Sequence, residues 1–383
     1  MEVRIVEPMP SAVRARHELI ERARHLYHAA GRAKFRRRLQ RLKVPDHGLS
    51  LNFGWLEEPR RAEEARIGGG VKLTHLRDRF GESRDSLNVL YLVSSVLHLV
   101  PHAETLVDWA KSNGVRVVWN QNGVAYPAWC GDRYPWFNAP MRRLIAKADY
   151  VIYQSEFCRT SADRYLGKVN VPTEVLWNPV DISRFAPAGN APPMNTWQLL
   201  AIGTCHAFYR AKASLDCLAE LLRRGVSARL TLAGELRWPN AAEEVNAYIA
   251  RHGLRDHVAL RSRFTQCDAP ELYRAAHVVL HPKYKDPCPT VPIEAMACGV
   301  PVVGSRSGGT PELVSPDAGV LVDVEDVWTR DVPPDPAAMA DAVCTIMNDH
   351  AAFSKSARKR ARGFFDREKW CDRHREIFEM LLR

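Results

Sequence analysis

The sequence predicts an α/β protein built from two doubly wound domains, and three observations lead to this fold class. Short apolar strands alternate with longer helical segments along most of the chain, a pattern typical of parallel sheets. The length of 383 residues exceeds the usual size of a single core. A proline-rich connector over residues 178–196 separates the two halves. Two such domains are expected to place a ligand cleft between the carboxyl ends of their sheets.

The individual elements follow from short apolar runs and from segments of helical composition. In the first half we expect strands at residues 49–53, 88–93, 115–119, 150–154 and 173–177, with helices at 71–80, 103–113 and 157–165. In the second half we expect strands at residues 199–203, 228–234, 258–261 and 277–281, with helices near 213–224 and 242–252.

The segment over residues 282–314 carries the strongest functional signal. Asp286 is followed at the eighth position by Glu294, and three prolines keep the chain between them extended. Pro292 suits the first position of a helix that residues 293–298 continue, before a valine-rich strand and a Gly-Gly loop. Carboxylates accept hydrogen bonds from sugar hydroxyls, and the free amides of a helix N-terminus suit phosphate. A nucleotide sugar carries both groups; the alternative is an ordinary loop–helix–strand unit with acids on its surface.

This segment resembles the donor-site signature of retaining glycosyltransferases with the GT-B architecture, glycosyltransferase family four or group one. There an acid, seven residues and Glu-Ala-Met-Ala-Cys-Gly-x-Pro-Val-Val precede a Gly-Gly-x-Pro-Glu loop, and this chain is similar over residues 292–312. It departs from the pattern at Asp286, where the family usually has Glu. It departs again at residues 288–290, which read Cys-Pro-Thr in place of the usual Gly-Phe-Gly.

The likeness continues in chain order over about residues 68–375. Residues 178–187 resemble the interdomain linker of the family, and residues 148–157 resemble the strand that closes the first domain. The resemblance implies two Rossmann-like domains facing a cleft and a C-terminal helix that crosses back to the first domain. The domains are then an acceptor-binding unit over 1–180, a nucleotide-sugar-binding unit over 181–364 and the C-terminal helix over 365–383.

The resemblance also implies roles for individual side chains and amides. Glu294 should accept hydrogen bonds from ribose hydroxyls, and Asp286 should hold the hydroxyls of the donor sugar. A basic residue should neutralise the leaving diphosphate; Arg210 is favoured over Lys212 because a guanidinium can clamp two phosphate oxygens. The expected donor-binding residues are Glu294, Thr290, Val291, Pro289, Gly203, Gly69 and Gly70, and those of the chemical step are Asp286, Arg210, Lys212 and Asn122.

Two of these predictions have a competing interpretation. Gly69 and Gly70 precede a helical segment and permit close approach of the backbone to phosphate or acceptor, but a glycine run also makes a simple turn. Asn122 follows the third predicted strand, where many relatives have His. Asn can hydrogen-bond a hydroxyl but cannot take its proton at neutral pH, and it also tolerates a strand-end turn.

The predicted reaction moves a sugar from a UDP- or GDP-linked donor to an acceptor hydroxyl with retention of configuration. The resemblance implies front-face displacement, in which the departing phosphate takes the acceptor's proton and no protein nucleophile is required. No Asp-x-Asp occurs, and neither a metal nor a cofactor is expected. The acceptor is expected to be a glycan, a lipid-linked glycan or a small natural product such as an aminocyclitol. The alternatives are a sugar-nucleotide epimerase of the same fold and a non-catalytic binding module.

The net charge of +10 is concentrated near the start of the chain. Residues 11–45 hold eleven Lys or Arg against two Glu, which leaves +9 for this segment. A basic amphipathic helix of this kind predicts weak contact with the inner membrane face; the alternative is a solvated helix that covers the first domain. No nucleic-acid motif accompanies it, so no nucleic-acid partner is expected.

The expected location is the cytoplasm. The nine cysteines include no Cys-x-x-Cys pair, which fits a reducing compartment better than a disulfide framework. No signal peptide is evident, and the longest apolar stretch, residues 87–100, is too short to span a bilayer.

Overall fold

The computed structural model describes residues 31–54, 68–187, 189, 192–262 and 264–383. Within these residues the chain forms two all-parallel sheets, one of five strands and one of six. The predicted fold class is therefore confirmed.

The first sheet has the strand order β1-β2-β3-β4-β5. Its strands are β1 Leu51–Asn52, β2 Val89–Val93, β3 Arg116–Gln121, β4 Tyr150–Tyr153 and β5 Thr173–Val175. From residue 68 onward the α-helices of this half are α1 Gly68–Phe80, α2 Ala103–Ser112, α3 Pro127–Cys130, α4 Tyr134–Ile145 and α5 Glu156–Tyr165, and 3₁₀ helices span Ser94–Leu99 and Gly131–Arg133.

The first sheet is buried on both faces. Every residue of β2 is buried, and alternate residues of the strand enter different hydrophobic clusters. Leu90 and Leu92 face one cluster, whereas Val89, Tyr91 and Val93 face the other. This alternation explains why the strand reads as a continuous apolar run.

The second sheet has the order β11-β10-β9-β6-β7-β8. Its strands are β6 Trp197–Ile202, β7 Ala228–Ala233, β8 Val258–Arg261, β9 Val278–His281, β10 Val302–Ser305 and β11 Gly319–Val322. The helices that follow the linker are α6 Phe208–Arg223, α7 Ala241–Arg251, α8 Ala269–Arg274, α9 Thr290–Ala297, α10 Thr310–Leu313, α11 Pro336–Asn348, α12 His350–Phe364 and α13 Arg367–Leu382.

Helix α13 returns to the first domain after the second domain is complete. The chain crosses beside the linker, where Val180 donates to the carbonyl of Phe365 at 2.7 Å. Trp370, Ile377 and Phe378 of α13 then pack in the cluster on one face of the first sheet. The C-terminal helix thus completes the core of a domain whose sheet was formed much earlier in the sequence.

Most predicted elements lie within a few residues of the observed ones, and two helix starts differ. Helix α9 begins at Thr290, so Pro292 is its third residue instead of its first; Pro is tolerated there because first-turn amides have no intrahelical acceptor. Helix α6 begins at Phe208, five residues before the expected start at 213.

The basic segment is only partly described, since residues 11–30 lie outside the described residues. Residues 31–39 are helical, with Phe35 and Leu39 buried in the core of the first domain. The intervening Arg36, Arg37 and Arg38 are exposed. In the part of the chain that the structure describes, no helix combines the length and hydropathy needed to cross a membrane.

Candidate active site

A cleft of about 2280 Å³ lies between the two domains at the carboxyl ends of their strands. Pockets for one small ligand usually measure about 300–1000 Å³, so this cleft has room for two substrates. Eight of the residues predicted from the sequence line it: Asp286, Pro289, Thr290, Val291, Glu294, Gly203, Arg210 and Asn122.

Asp286 lies in the 282–289 loop, which connects β9 to α9, and it is only 9% exposed. Its Oδ2 atom is 2.9 Å from Lys283 Nζ and 3.3 Å from His281 Nε2. Burial alone would raise the pKa of Asp286, but Lys283 and His281 outweigh it and hold this pKa well below its usual range. Asp286 therefore presents an ionised carboxylate that can only accept hydrogen bonds.

The Gly-Gly loop of the signature supports the 282–289 loop by backbone contact. Gly309 donates its N–H to the carbonyl of Asp286 at 2.8 Å. A Cβ atom at Gly308 would lie 2.4 Å from that same carbonyl oxygen, and one at Gly309 would lie 2.1 Å from the carbonyl oxygen of Pro287. The two glycines are needed because no side chain fits between these backbones.

Glu294 projects from α9 and is held by two donors. Tyr273 Oη donates to Oε2 at 2.7 Å and Gln266 Nε2 donates to Oε1 at 3.0 Å. Burial raises the pKa of Glu294, and these two hydrogen bonds oppose the shift. Each carboxylate oxygen keeps a further lone pair for a ligand hydroxyl.

The N-terminus of α9 opens onto the cleft without a side-chain cap. Thr290 and Val291 supply the first amides, and Gly203 at the end of β6 approaches them with φ of 106°. A Cβ atom on Gly203 would make only an ordinary contact with Val291 at 3.6 Å, so glycine is favoured here by its positive φ and not by a lack of space. The arrangement leaves backbone donors available to an anion.

Only one of the two predicted basic candidates on α6 reaches the cleft. Arg210 lines it, with Nη1 donating to the carbonyl of Thr204 at 2.6 Å and Nε buried without a hydrogen-bond partner in the described structure. Lys212 does not line the cleft: its Nζ pairs with Asp216 at 2.6 Å. Lys283 is a further cation of the cleft that the sequence analysis did not single out.

The geometry agrees with the comparisons to known proteins. Residues 198–349, which contain most of the second domain, match the family model described as glycosyl transferases group 1. The second domain is therefore similar to the group 1 glycosyltransferases. This match confirms the resemblance to group 1 glycosyltransferases that the 282–314 segment predicts.

Two curated relatives illustrate the family. A D-inositol 3-phosphate glycosyltransferase of Segniliparus rotundus is 27% identical over 190 residues, which are 47% of this chain and 42% of that protein. A lipopolysaccharide core biosynthesis mannosyltransferase of Rhizobium meliloti is 25% identical over 266 residues, 64% of this chain and 72% of that protein. The chain spans less than half the length of the first curated relatives that it matches.

The solved structures show the fold. The HepE protein of Anabaena in complex with UDP and glucose aligns with a TM-score of 0.66 at 18% identity, covering 88% of this chain and 100% of that one. The chain therefore has the two-domain GT-B architecture.

Across the cleft from α9, the first domain contributes the turn that follows β3. Ser94 Oγ accepts from the backbone N–H of Asn122 at 2.9 Å. A Cβ atom on Gly123 would lie 2.5 Å from Pro287, so this turn touches the 282–289 loop. Asn122 consequently lies on the cleft wall that faces Asp286.

The glycine run of the first domain belongs to helix α1 and not to a loop ahead of it. Gly69 and Gly70 stand in its first turn; Gly70 does not line the cleft, whereas Val71 does. Next to them Lys72 is 2% exposed, and its Nζ donates to Asn120 Oδ1 at 2.6 Å. Burial lowers the pKa of Lys72 to about 7.

Several cleft residues were not predicted as site residues because no local pattern marks them. They are Lys283 and His281 beside Asp286, Tyr273 and Gln266 beside Glu294, and Asp331. Among the residues that the structure describes, no cluster of three or more His, Cys, Asp or Glu could hold a metal ion.

Proposed function

We propose that this protein is a glycosyltransferase that moves a sugar from a UDP- or GDP-linked donor to an acceptor hydroxyl with retention of configuration. One observation carries the proposal: the ionised Asp286, Glu294, Arg210 and the open N-terminus of α9 share one cleft. A nucleotide sugar needs all of these groups, because it combines ribose, a diphosphate and a second set of hydroxyls. The likeness to a protein crystallised with UDP and glucose supports the same ligand class.

Each group has a role in donor binding. Glu294, steadied by Tyr273 and Gln266, accepts hydrogen bonds from the ribose hydroxyls. The α9 amides and Arg210 bind the diphosphate, since both offer donors to an anion. Asp286 accepts hydrogen bonds from the hydroxyls of the donor sugar.

The chemical step is a front-face displacement at the anomeric carbon. The bond from that carbon to the diphosphate oxygen breaks, the bond to the acceptor oxygen forms on the same face, and the acceptor proton passes to the leaving phosphate. Asn122 positions the acceptor hydroxyl without taking its proton. Arg210, Lys283 and the α9 amides stabilise the charge of the leaving group, so the proposal requires neither a metal nor a cofactor.

The acceptor is a glycan, a lipid-linked glycan or a small hydroxylated natural product bound by the first domain. Trp129 and Trp136, 61% and 73% exposed, flank the cleft on this domain. Aromatic side chains with an apolar body and a polar edge suit an amphipathic acceptor. The enzyme works in the cytoplasm, and the basic 11–45 segment gives it a weak peripheral contact with the inner membrane face.

The test is a donor screen followed by product analysis. UDP-glucose, UDP-N-acetylglucosamine and GDP-mannose are offered with and without inositol and oligosaccharide acceptors, and the products are resolved by mass spectrometry and NMR. A transferase gives a glycosylated acceptor with the anomeric configuration of the donor, whereas an epimerase converts the donor without any acceptor. Absence of binding and turnover with all three donors contradicts the proposal.

A further inference from the structure

The connection between β11 and α11 is the longest stretch without regular structure in the second domain after α9. It spans residues 323–335. Connections between strands and helices usually have about 2–6 residues, and those longer than about 12 are commonly functional. This 323–335 loop leaves the second domain and reaches the first.

Trp328 anchors the loop in the first domain. Its indole stacks on Phe157 with a centroid distance of 5.5 Å and an interplanar angle of 3°, and it meets Tyr126 edge-on at 5.2 Å. The carbonyl of Trp328 accepts a hydrogen bond from the N–H of Ala128 at 2.8 Å. Because Trp328 belongs to the second domain and its partners to the first, the contact bridges the cleft.

The 282–289 loop holds the other side of the same segment. Lys285 Nζ lies 4.1 Å from the centroid of the Trp328 indole and pairs with Asp326. Tyr284 Oη accepts from the N–H of Val327 at 2.8 Å. Tyr284 and Lys285 immediately precede Asp286, so the position of the 323–335 loop is tied to the acid that faces the cleft.

Held in this way, the loop brings Asp331 into the cleft. Asp331 is half-buried and lines the cleft together with Tyr126, Arg210 and Lys283. Among the described residues no side chain or amide donates a hydrogen bond to its carboxylate. Burial raises the pKa of Asp331, while Lys283 and Arg210 oppose that shift. The carboxylate of Asp331 is therefore a free hydrogen-bond acceptor beside Lys283 and Arg210.

We propose that Asp331 is a specificity-determining residue that accepts hydrogen bonds from hydroxyls of the transferred sugar, and that Trp328 fixes its position. The inference rests on the proposed function, because it requires a nucleotide sugar in the cleft. Arg210 and Lys283 attract the diphosphate, but the carboxylate of Asp331 beside them does not bind it, because both groups are negatively charged. The ribose hydroxyls are already assigned to Glu294 on α9. The hydroxyls of the sugar, between the diphosphate and the first domain, are the donors left for Asp331.

The experiment compares a nucleotide sugar with its free nucleoside diphosphate by isothermal titration calorimetry. The probes are the tightest binder among UDP-glucose, UDP-N-acetylglucosamine and GDP-mannose, and UDP or GDP to match. Asp331→Asn should weaken binding of the nucleotide sugar about 10-fold and leave the nucleoside diphosphate unchanged or slightly tighter, since a negative charge is removed. Asp323→Asn, on the same loop but exposed and paired with Arg306 at 2.6 Å, is the control and should change neither affinity.

A second pair of variants tests the anchor. Trp328→Ala should reproduce the selective loss for the nucleotide sugar, whereas Trp328→Phe should retain most of the affinity, with folding checked by thermal melting. Equal losses for both probes in Asp331→Asn, or no loss for either, overturn the inference while the proposed function stands. If the wild-type protein binds none of the nucleotides, the proposed function fails and this inference fails with it.

Discussion

The carboxylate of Glu312 in the second domain accepts a hydrogen bond from the backbone N–H of Phe157 in the first, at 2.8 Å. Its other oxygen accepts from the N–H of Glu156 at the same distance. These amides open helix α5, where a negative charge is favourable. Glu312 thus caps a helix of the opposite domain and joins the two halves of the cleft.

Removing this cap should loosen the closed arrangement of the domains. Glu312→Ala is expected to lower the free energy of unfolding by about 0.3–2 kcal/mol, the range for a negative charge at a helix N-terminus. It should also raise donor hydrolysis relative to transfer, because a looser cleft admits water. The hydrolysis-to-transfer ratio measures this, with the exposed Glu379→Ala as control. An unchanged ratio would show that Glu312 stabilises the fold without affecting closure.

Glu294 is expected to recognise ribose. Glu294→Ala should weaken binding of the nucleoside diphosphate about 10- to 150-fold, the range for loss of a charged hydrogen-bond partner. The sharper measurement compares ribo- and 2′-deoxyribonucleotides, whose affinities should differ in the wild type and converge in the variant. Glu271→Ala, an exposed change on α8, controls for nearby charge. A ribose preference that survives in Glu294→Ala contradicts this role.

Replacing Arg210 and replacing Lys212 should have different effects on kcat. Arg210→Ala is expected to lower kcat about 10²- to 10³-fold, because it removes a donor aimed at the charge of the leaving diphosphate. Lys212→Ala should leave kcat unchanged and cost only about 0.3–0.5 kcal/mol of stability through its exposed pair with Asp216. Equal kinetic losses in the two variants would place both cations at the diphosphate.

The buried Lys72 should make stability depend on pH. Its pKa is lowered from 10.5 to about 7, so between these values the unfolded chain binds a proton that the folded chain does not. Stability should therefore rise with pH in this window, by about 2 kcal/mol from pH 7 to pH 9. Urea unfolding at both pH values measures the rise, which should be absent in Lys72→Met and present in the exposed control Lys168→Met. An equal rise in wild type and Lys72→Met contradicts the assignment.

The exposed arginines of the 31–39 helix give the test of membrane contact. Triple replacement of Arg36, Arg37 and Arg38 by Glu should abolish salt-sensitive binding to phosphatidylserine vesicles, since each basic residue contributes about 1 kcal/mol near such a surface. Donor turnover should survive, because Phe35 and Leu39 still pack in the core. If the wild-type protein does not bind phosphatidylserine vesicles at low salt, the proposed membrane contact is excluded.

The order of strands and helices was predictable because parallel strands buried on both faces read as apolar runs, as β2 does. The convergence of Asp286 and Glu294 was predictable as well, since both lie in the segment between β9 and β10, near the carboxyl end of β9. Which of Arg210 and Lys212 faces the cleft depends on how their helix is oriented. Residues that are two positions apart on a helix differ by about 200° around its axis, so the two side chains point in different directions. Asp331 was not predictable, because only tertiary packing of its loop brings it to the cleft.

The Gly308–Gly309 contact has a consequence for protein engineering. The backbone of these two glycines packs directly against the backbone of the 282–289 loop, so no side chain lies between them. The position of Asp286 is therefore set by contact between two main-chain segments. Moving Asp286 would require a change in the backbone of both loops at once. A new sugar preference is therefore more readily engineered by replacing side chains that line the cleft than by changing the backbone of these loops.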